Sequence, residues 1–532
     1  MRMRFATILI AAMATATTLT PAPAAAAPPG SAAAGACSDL TRTLTSSSPI
    51  LLTPTTNATS YSDAKQGGYN PLNNKLSPTC IIQPTTTSDV ASAMKAIYRN
   101  NANYAVRAGG HTGMAGWDSV QGGVLIDFSN MQNYEYSKER RSVTVQPGLR
   151  WGEVNEMSEP FGVAPMGGRV YHVGTGLILG GGLSLLSPQY GYACDGLLSA
   201  EVVMVDGSVM KVDAKSDPEL LRAIKGGGAR FGIVTKYELK VFPTGTKDEK
   251  NWYGGSITAL TPTGIVQMIQ ATEQFTLTPD DPKATVLTNL GMLKQQGVPL
   301  YLGNTFLFYR GTQSEFEAAF KDFLSIPGLI LDLKPLSYVE AANATPLGWK
   351  DTQAYKWIGG SLYPQPSSTP PSPVSSLPII GQLLNNTLPN PSLPTSWLTT
   401  WANILTLITK HEPILASSFW SLTPVKATQI NAGYANGGNA LSPPPQGGSY
   451  MHYLFSQILA EGTDSFPADF EADRQRWIKD NPSSKGLPLF LNEVDAEQKT
   501  LQSYGWYEQL KKVYKKVDPK GFNVKHQAGP TF

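Results

Sequence analysis

Charge is scarce in this sequence of 532 residues: Asp, Glu, Lys and Arg make up 15%, and the formal net charge is +2. That near-balance excludes a polycationic nucleic-acid binder. Histidine is scarcer still, with five in all, which leaves little material for a His-rich metal centre; no metal is expected. Three cysteines exclude a disulfide-dense scaffold and a four-cysteine zinc module. Past the N-terminus, no stretch is apolar over the roughly 20 residues that a membrane-spanning helix needs. No repeat recurs at solenoid periods. Glycine (50) and proline (41) are abundant, in a chain whose 41% hydrophobic content is that of an ordered globular protein. The length corresponds to about 3.5 domain-sized units. A large, glycine-rich, ordered chain of this kind points to an enzyme.

The N-terminus reads as a secretory signal over residues 1–27. Arg2 and Arg4 form a basic start, Phe5 to Leu19 is apolar and small, and Ala22 to Ala27 offers small-residue cleavage. Secretion makes the cysteines readable. A Cys37–Cys80 disulfide would staple an N-terminal arm, residues 28–75. Cys194 is then the odd one, either a buried free thiol or an attachment point. Asn57, Asn343 and Asn385 each begin a glycosylation sequon.

Texture divides the rest. Residues 76–244 alternate short β-branched runs, helical patterns and glycine turns. The pattern predicts a helix over 88–100 with Ser88 as its N-cap. It predicts strands at Tyr104–Arg107, Val124–Asp127 and Ser142–Gln146, and a hairpin about Asp206-Gly207. Residues 245–480 carry further strands and helices, interrupted by a Pro/Ser-rich stretch at 364–394 with the composition of a surface insertion. Residues 481–532 return to compact patterning.

Three glycine segments carry chemistry. In Arg107-Ala108-Gly109-Gly110-His111-Thr112-Gly113, consecutive glycines let backbone N–H groups converge on an anion such as a pyrophosphate. His111 adds a nucleophilic imidazole at the same point. The alternative is an ordinary turn with a satisfied histidine. In Gly174-Thr175-Gly176-Leu177-Ile178-Leu179-Gly180, the third glycine falls one place too late for the dinucleotide G-x-G-x-x-G motif. A nicotinamide-dinucleotide site is therefore rejected, though the backbone can still lie against a flat or anionic ligand. Gly226-Gly227-Gly228 precedes Phe231-Gly232-Ile233-Val234, which alone reads as a helix stop followed by a strand.

Together, in this order and spacing, the three segments resemble the FAD-binding half of the vanillyl-alcohol-oxidase family (the PCMH flavin fold). They are most similar to the berberine-bridge-enzyme-like oxidases of fungal and microbial type. Tyr190-Gly191-Tyr192-Ala193-Cys194-Asp195, Phe490-Leu491-Asn492-Glu493-Val494-Asp495 and Lys516-Val517-Asp518-Pro519 also match. The resemblance runs from about Cys80 to the C-terminus and is weakest between about 250 and 480. It implies an α+β fold: a two-part PCMH-type FAD-binding domain over 76–244, a substrate domain over 245–480 with an antiparallel sheet backed by helices, and a C-terminal return to the first.

The resemblance also implies FAD held by residues 107–113, by Gly174, Thr175 and Gly176, by Gly232, Ile233 and Val234, and by Asn492, with a covalent link through His111. Some members add a second link from a cysteine in a C-P-T-V-G segment. That segment here reads Val170-Tyr171-His172-Val173-Gly174, so a single link is expected and Cys194 is taken as structural. Where many relatives carry N-Y-x-D, this chain has Asn492-Glu493-Val494-Asp495. Glu493 is a competent base for a hydroxyl proton as hydride leaves carbon; the alternative is a structural hydrogen-bond acceptor.

For the substrate domain, alternation along Tyr450–Gln457 puts Tyr450, His452, Leu454 and Ser456 on one face and Met451, Tyr453, Phe455 and Gln457 on the other. The second face, with Tyr453 and Gln457, has an aromatic-amide character suited to a substrate wall; the alternative for each member is a packed core face. The expected function is a secreted, monomeric flavoprotein oxidase acting on an alcohol or amine carbon of a sugar, alcohol or secondary metabolite, with O2 as acceptor. Two alternatives stand beside it: a tailoring dehydrogenase or cyclase of secondary metabolism, and a flavin-binding protein without turnover.

Overall fold

The computed structural model describes residues 29–44, 50–345, 353–364, 396–463 and 465–532. The expected signal sequence at 1–27, Asn385, and all but Pro364 of the expected insertion lie outside the described residues.

Three sheets organise the described chain. The first contains β1 (Ile50–Leu52), β2 (Cys80–Gln83), β3 (Tyr104–Arg107) and β4 (Val124–Asp127) in the order β1-β2-β4-β3. Its β2–β4 and β3–β4 pairs are parallel. The strands are short and apolar because both faces are covered: Ile82 and Val124 face one cluster, Ile81 and Leu125 another. The helix Thr87–Asn100 makes the crossover from β2. Its N-cap is Thr86, two residues before the expected Ser88, because Thr86 and Asp89 form a reciprocal capping box that satisfies two otherwise orphaned donors.

The expected N-terminal arm is part of this lobe. Helix Pro29–Thr43 sends Ala36, Cys37 and Leu40 into the same core as Val90, Met94 and Ile97. Cys37 and Cys80 are disulfide-bonded across 43 residues. In the chain-entropy account, a loop of that length removes about 4 kcal/mol of freedom from the unfolded chain.

The second sheet holds β5 (Tyr134–Ser137), β6 (Ser142–Val145), β7 (Val163–Pro165), β8 (Leu197–Val203), β9 (Val209–Asp213) and β10 (Ile233–Pro243). Its order is β5-β6-β10-β8-β9, with β7 on β10, and its pairs are antiparallel. Asp206-Gly207 turns β8 into β9 as expected, with Gly207 at φ +79°.

The third sheet is antiparallel and has seven strands: β11 (Trp252–Ala259), β12 (Ala284–Gln295), β13 (Val298–Tyr309), β14 (Ile330–Leu336), β15 (Tyr355–Leu362), β16 (Leu415–Val425) and β17 (Tyr450–Leu459). They run in the order β14-β11-β13-β12-β16-β17-β15. One face packs on helices Pro262–Leu277, Ser396–His411 and Ala468–Asp480. Met451, Tyr453, Phe455 and Trp420 there meet Met268, Ile404, Phe470 and Trp477. The other face turns toward the first two sheets.

The C-terminal segment stitches the lobes together. Buried Arg230 donates to the carbonyls of Pro530 (2.7 Å) and Gln527 (2.8 Å) and to Asn523 Oδ1 (2.5 Å). Across the lobe junction, the Tyr192 hydroxyl lies 2.6 Å from that of Tyr450 and 2.8 Å from His452 Nε2. Ser361 Oγ lies 2.8 Å from His452 Nδ1. Burial holds His452 neutral, its pKa lowered to about 3, so this junction carries no charge at physiological pH.

Candidate functional site

A cavity of about 650 Å3 lies between the three sheets, within the usual ~300–1,000 Å3 of small-molecule and cofactor sites. Its first wall is largely backbone. Gly109 and Gly110 from the loop after β3, Gly174 and Gly176 from the second glycine segment, and Gly228 and Gly232 from the third all line it. The loops touch directly: a Cβ on Gly109 would stand 2.5 Å from Gly174 N, and one on Gly174 would stand 2.4 Å from Gly109 N. Gly110 (φ +69°) and Gly232 (φ +108°) also hold left-handed backbone that a side chain resists. A Cβ on Gly176, in contrast, would meet nothing within 4 Å. The backbone leaves open space in front of it.

His111 lines this wall and stacks on Tyr69, with ring centroids 4.0 Å apart and 14° between planes. Tyr69 in turn meets Tyr355 of β15 at 4.7 Å, so the imidazole plane is fixed from both lobes. Ala108, Thr112, Ile233, Val234 and Asn492, the residues the resemblance assigns to the cofactor, line the cavity. Asn492 accepts from Gly182 N (3.0 Å) and donates to Leu177 O (3.2 Å), clamping the glycine segment to the C-terminal return.

Three expected contacts are corrected. Arg107 does not line the cavity; its guanidinium is buried beneath the loop on Asp127, at 2.7 Å. Thr175 is buried behind the lining, donating to Pro147 O at 3.3 Å, and does not itself line the cavity. Gly113 sits against Trp357, where a Cβ would fall 2.3 Å from the indole. Val170, where the resemblance would place a second-link cysteine, lines the cavity, whereas Cys194 is buried elsewhere and burial raises its thiol pKa well above the ordinary value.

Glu493 lines the cavity too. Burial raises its pKa, and the charge of Arg169 partly opposes that shift. Among the described residues its carboxylate accepts no hydrogen bond. Arg169, which sequence reasoning passed over, lines the same cavity and donates to Thr423 Oγ1 of β16 at 2.7 Å. It follows Gly167-Gly168 just before the second glycine segment, and a lone arginine at that place was the available signal. Asp118 was also missed. It is 5% exposed, lines the cavity, and neither carboxylate oxygen has a hydrogen-bond partner among the described residues. Burial lifts its pKa to about 7 against the pull of Arg107.

The second wall is the free face of the seven-stranded sheet. Leu287, Asn289, Leu302, Asn304, Phe306, Ser417, Phe419, Ser421, Leu454, Ser456, Ile458 and Trp357 line it. The expected wall of Tyr453 and Gln457 is therefore on the wrong side. Both are fully buried against the helices, and Gln457 Oε1 accepts from Arg474 Nε at 2.9 Å. Alternation sorted β17 into two faces correctly, but the aromatic-amide face is the core. Arg474 needs Gln457 and Asp495 (2.8 Å) to be tolerated without water.

Among the described residues, no group of three His, Cys, Asp or Glu side chains could hold a metal, and no helix is long and apolar enough to cross a membrane. Asn57 is exposed and Asn343 half-buried.

Comparison with known proteins agrees with this geometry. Residues 78–213 match the FAD binding domain family. An FAD-dependent monooxygenase of Arthrobotrys oligospora is 28% identical over 84% of this chain and 80% of its own length. Among solved structures, berberine bridge enzyme in complex with (S)-reticuline superposes with a TM-score of 0.72 at 17% identity, over 94% of this chain and 99% of that one. A carbohydrate oxidase from Microdochium nivale gives 0.70 at 18%, over 93% and 99%.

Proposed function

We propose that this chain, an FAD-dependent oxidoreductase with the fold of berberine bridge enzyme, is a secreted oxidase. It carries its flavin on His111 and oxidises a carbon bearing a hydroxyl or amine. The observation that carries the reading is the convergence of all three glycine loops, His111 and Glu493 on one cavity. The residues fit the cofactor. The open space before Gly176 and the mutual contact of Gly109 and Gly174 make a cradle that only backbone can line, suited to a pyrophosphate and a flat ring.

When bound, FAD supplies a two-electron acceptor for a substrate hydride and passes the electrons to dioxygen, yielding hydrogen peroxide. The chain does the rest. The stack on Tyr69 fixes the imidazole plane of His111 for attachment. Asn492 keeps 177–182 in place. Glu493, its pKa raised toward the operating pH, takes the substrate proton as the C–H bond breaks. Secretion is supported by the basic and apolar order of residues 1–27.

The Arthrobotrys relative is a monooxygenase by name, and the sheet wall here is largely apolar. The apolar wall favours a small secondary metabolite over a sugar as substrate. Photoreduction of the purified protein followed by mixing with air tests the oxidase reading. Rapid return of the flavin band with stoichiometric peroxide is expected; a band that stays bleached rejects it.

A further inference from the structure

The sheet wall has a rung structure that limits what can lie on it. Cross-strand register places Asn304, Asn289 and Ser421 side by side on β13, β12 and β16. Much of their hydrogen bonding is used within the sheet: Ser421 Oγ donates to Asn289 Oδ1 at 2.7 Å, and Asn304 Nδ2 donates to Thr258 Oγ1 at 2.8 Å. The neighbouring rungs are apolar, with Phe306 beside Leu287 on one side and Phe419 on the other. No charged side chain of this sheet lines the cavity among the described residues. Such a wall offers contact area to a flat, mostly apolar molecule and few free hydrogen bonds to an oligosaccharide.

Charge enters from two places: from Arg169 on the glycine-lined lobe, and from Glu493, whose backbone packs on Gly359 at the sheet's edge. Each feels the other's charge, yet no ion pair joins them. The guanidinium has five N–H donors, and the one side-chain hydrogen bond it makes among the described residues is to Thr423. The Glu493 carboxylate accepts none there. A half-buried donor and a half-buried acceptor that line one cavity without pairing leave hydrogen-bonding capacity for a third group between them.

We propose that Arg169 and Glu493 form a donor–acceptor clamp for one hydroxyl of a flat, largely apolar substrate, with Arg169 the residue that selects for the hydroxyl. The chemistry discriminates. A hydroxyl oxygen accepts from the guanidinium while its proton is donated to the carboxylate. A substrate carboxylate is repelled by Glu493, and an ammonium by Arg169. An ether or carbonyl brings no proton for Glu493 to accept. Anchored to Thr423 on the sheet and carried by the glycine-lined lobe, Arg169 also sets the hydroxyl between the two walls. The assignment rests on the cavity being the substrate site of the proposed oxidoreductase, and it narrows the alcohol-or-amine choice to a hydroxyl.

The test is calorimetric titration of the purified holoprotein with 2-naphthol, naphthalene, 2-naphthoate and cellobiose. 2-Naphthol is expected to bind at least about tenfold more tightly than naphthalene, the size of one hydrogen bond to a charged group. It is also expected to bind more tightly than 2-naphthoate, and cellobiose to give no heat. Arg169→Met should erase the preference for 2-naphthol over naphthalene, and Arg169→Lys should retain part of it. Equal binding of 2-naphthol and naphthalene by the wild type, no binding of 2-naphthol, or a preference for cellobiose overturns the clamp without need of any variant. An unchanged preference in a folded Arg169→Met does the same. The flavin absorption of the same samples, bleached by light and restored by air, reports separately on the oxidoreductase reading. A normal flavin response with no hydroxyl preference rejects the clamp alone.

Discussion

The two walls of the cavity are built on opposite principles. The FAD-lobe wall is made of backbone, with Gly109, Gly110, Gly174, Gly176, Gly228 and Gly232 brought together from three loops. The sheet wall is made of side chains, with Leu287, Phe306, Phe419, Leu454 and Trp357 projecting from one face. Backbone recognition leaves a mark in sequence, since only glycine can stand where loops touch at 2.5 Å. Side-chain recognition leaves a pattern of alternation that the core shares. A cofactor used in one way can be held by the first kind of wall, while the second can change with the substrate.

The largest effects should come from the glycine wall. Gly174→Val drives a side chain into Gly109; overpacking of this kind costs about 1–3 kcal/mol or more. The expected outcome is a lowered Tm and a protein purified without yellow colour. Gly176→Ala sharpens the comparison, because its Cβ meets no protein atom within 4 Å. The apoprotein should melt like wild type while the ratio of flavin to protein absorbance falls. Full loading of Gly176→Ala would break the claim that this wall is a cofactor cradle.

Next in size is Glu493→Gln, expected to lower kcat by about a hundredfold to ten-thousandfold, the range of general-base contributions, with flavin content unchanged. The base must be ionised, so wild-type activity should fall as pH drops through a Glu493 pKa that burial has raised. Arg169 pulls that pKa down, so Arg169→Met should move the acidic limb to higher pH. A pH–rate profile of the three proteins checks both signs.

On the sheet, the two faces of β17 should separate cleanly. Gln457→Ala removes a buried partner of Arg474 and should cost about 1–3 kcal/mol in denaturant unfolding with KM unchanged. Ser456→Leu on the cavity face should change KM with little loss of stability. The reverse result would restore the Tyr453–Gln457 wall.

A separate, purely pH-linked effect concerns Asp118. Its folded pKa of about 7 lies above its ordinary value of 3.8. The folded state therefore binds the extra proton, and stability falls as pH rises from about 4 to 7. Asp118→Asn should raise the Tm of the apoprotein at pH 8, by an amount that vanishes toward pH 4.

How far the sequence could be read follows the same division. The strands Tyr104–Arg107 and Val124–Asp127 match their expected bounds, because glycine and β-branched runs punctuate them sharply. The cavity-lining places of His111, Gly174, Gly176, Asn492 and Glu493 were legible through their motifs. Arg107 and Thr175 were misassigned because a motif fixes a loop's backbone without saying which side chains turn inward. The two faces of β17 could be separated, but which was core depends on Arg474 and Trp477, more than fifteen residues on, and no local pattern encodes that contact. Arg169 and Asp118 were missed for a related reason: each is a single charged residue whose meaning lies in the absence of a neighbour.

The central claim is that His111 holds the flavin of this enzyme. Purified protein and its His111→Ala variant should be precipitated with acid and the yellow colour followed. The account predicts colour retained in the wild-type pellet and released to the supernatant, or absent, in the variant. Wild-type flavin released to the supernatant, or colour still fixed in the His111→Ala pellet, would contradict it.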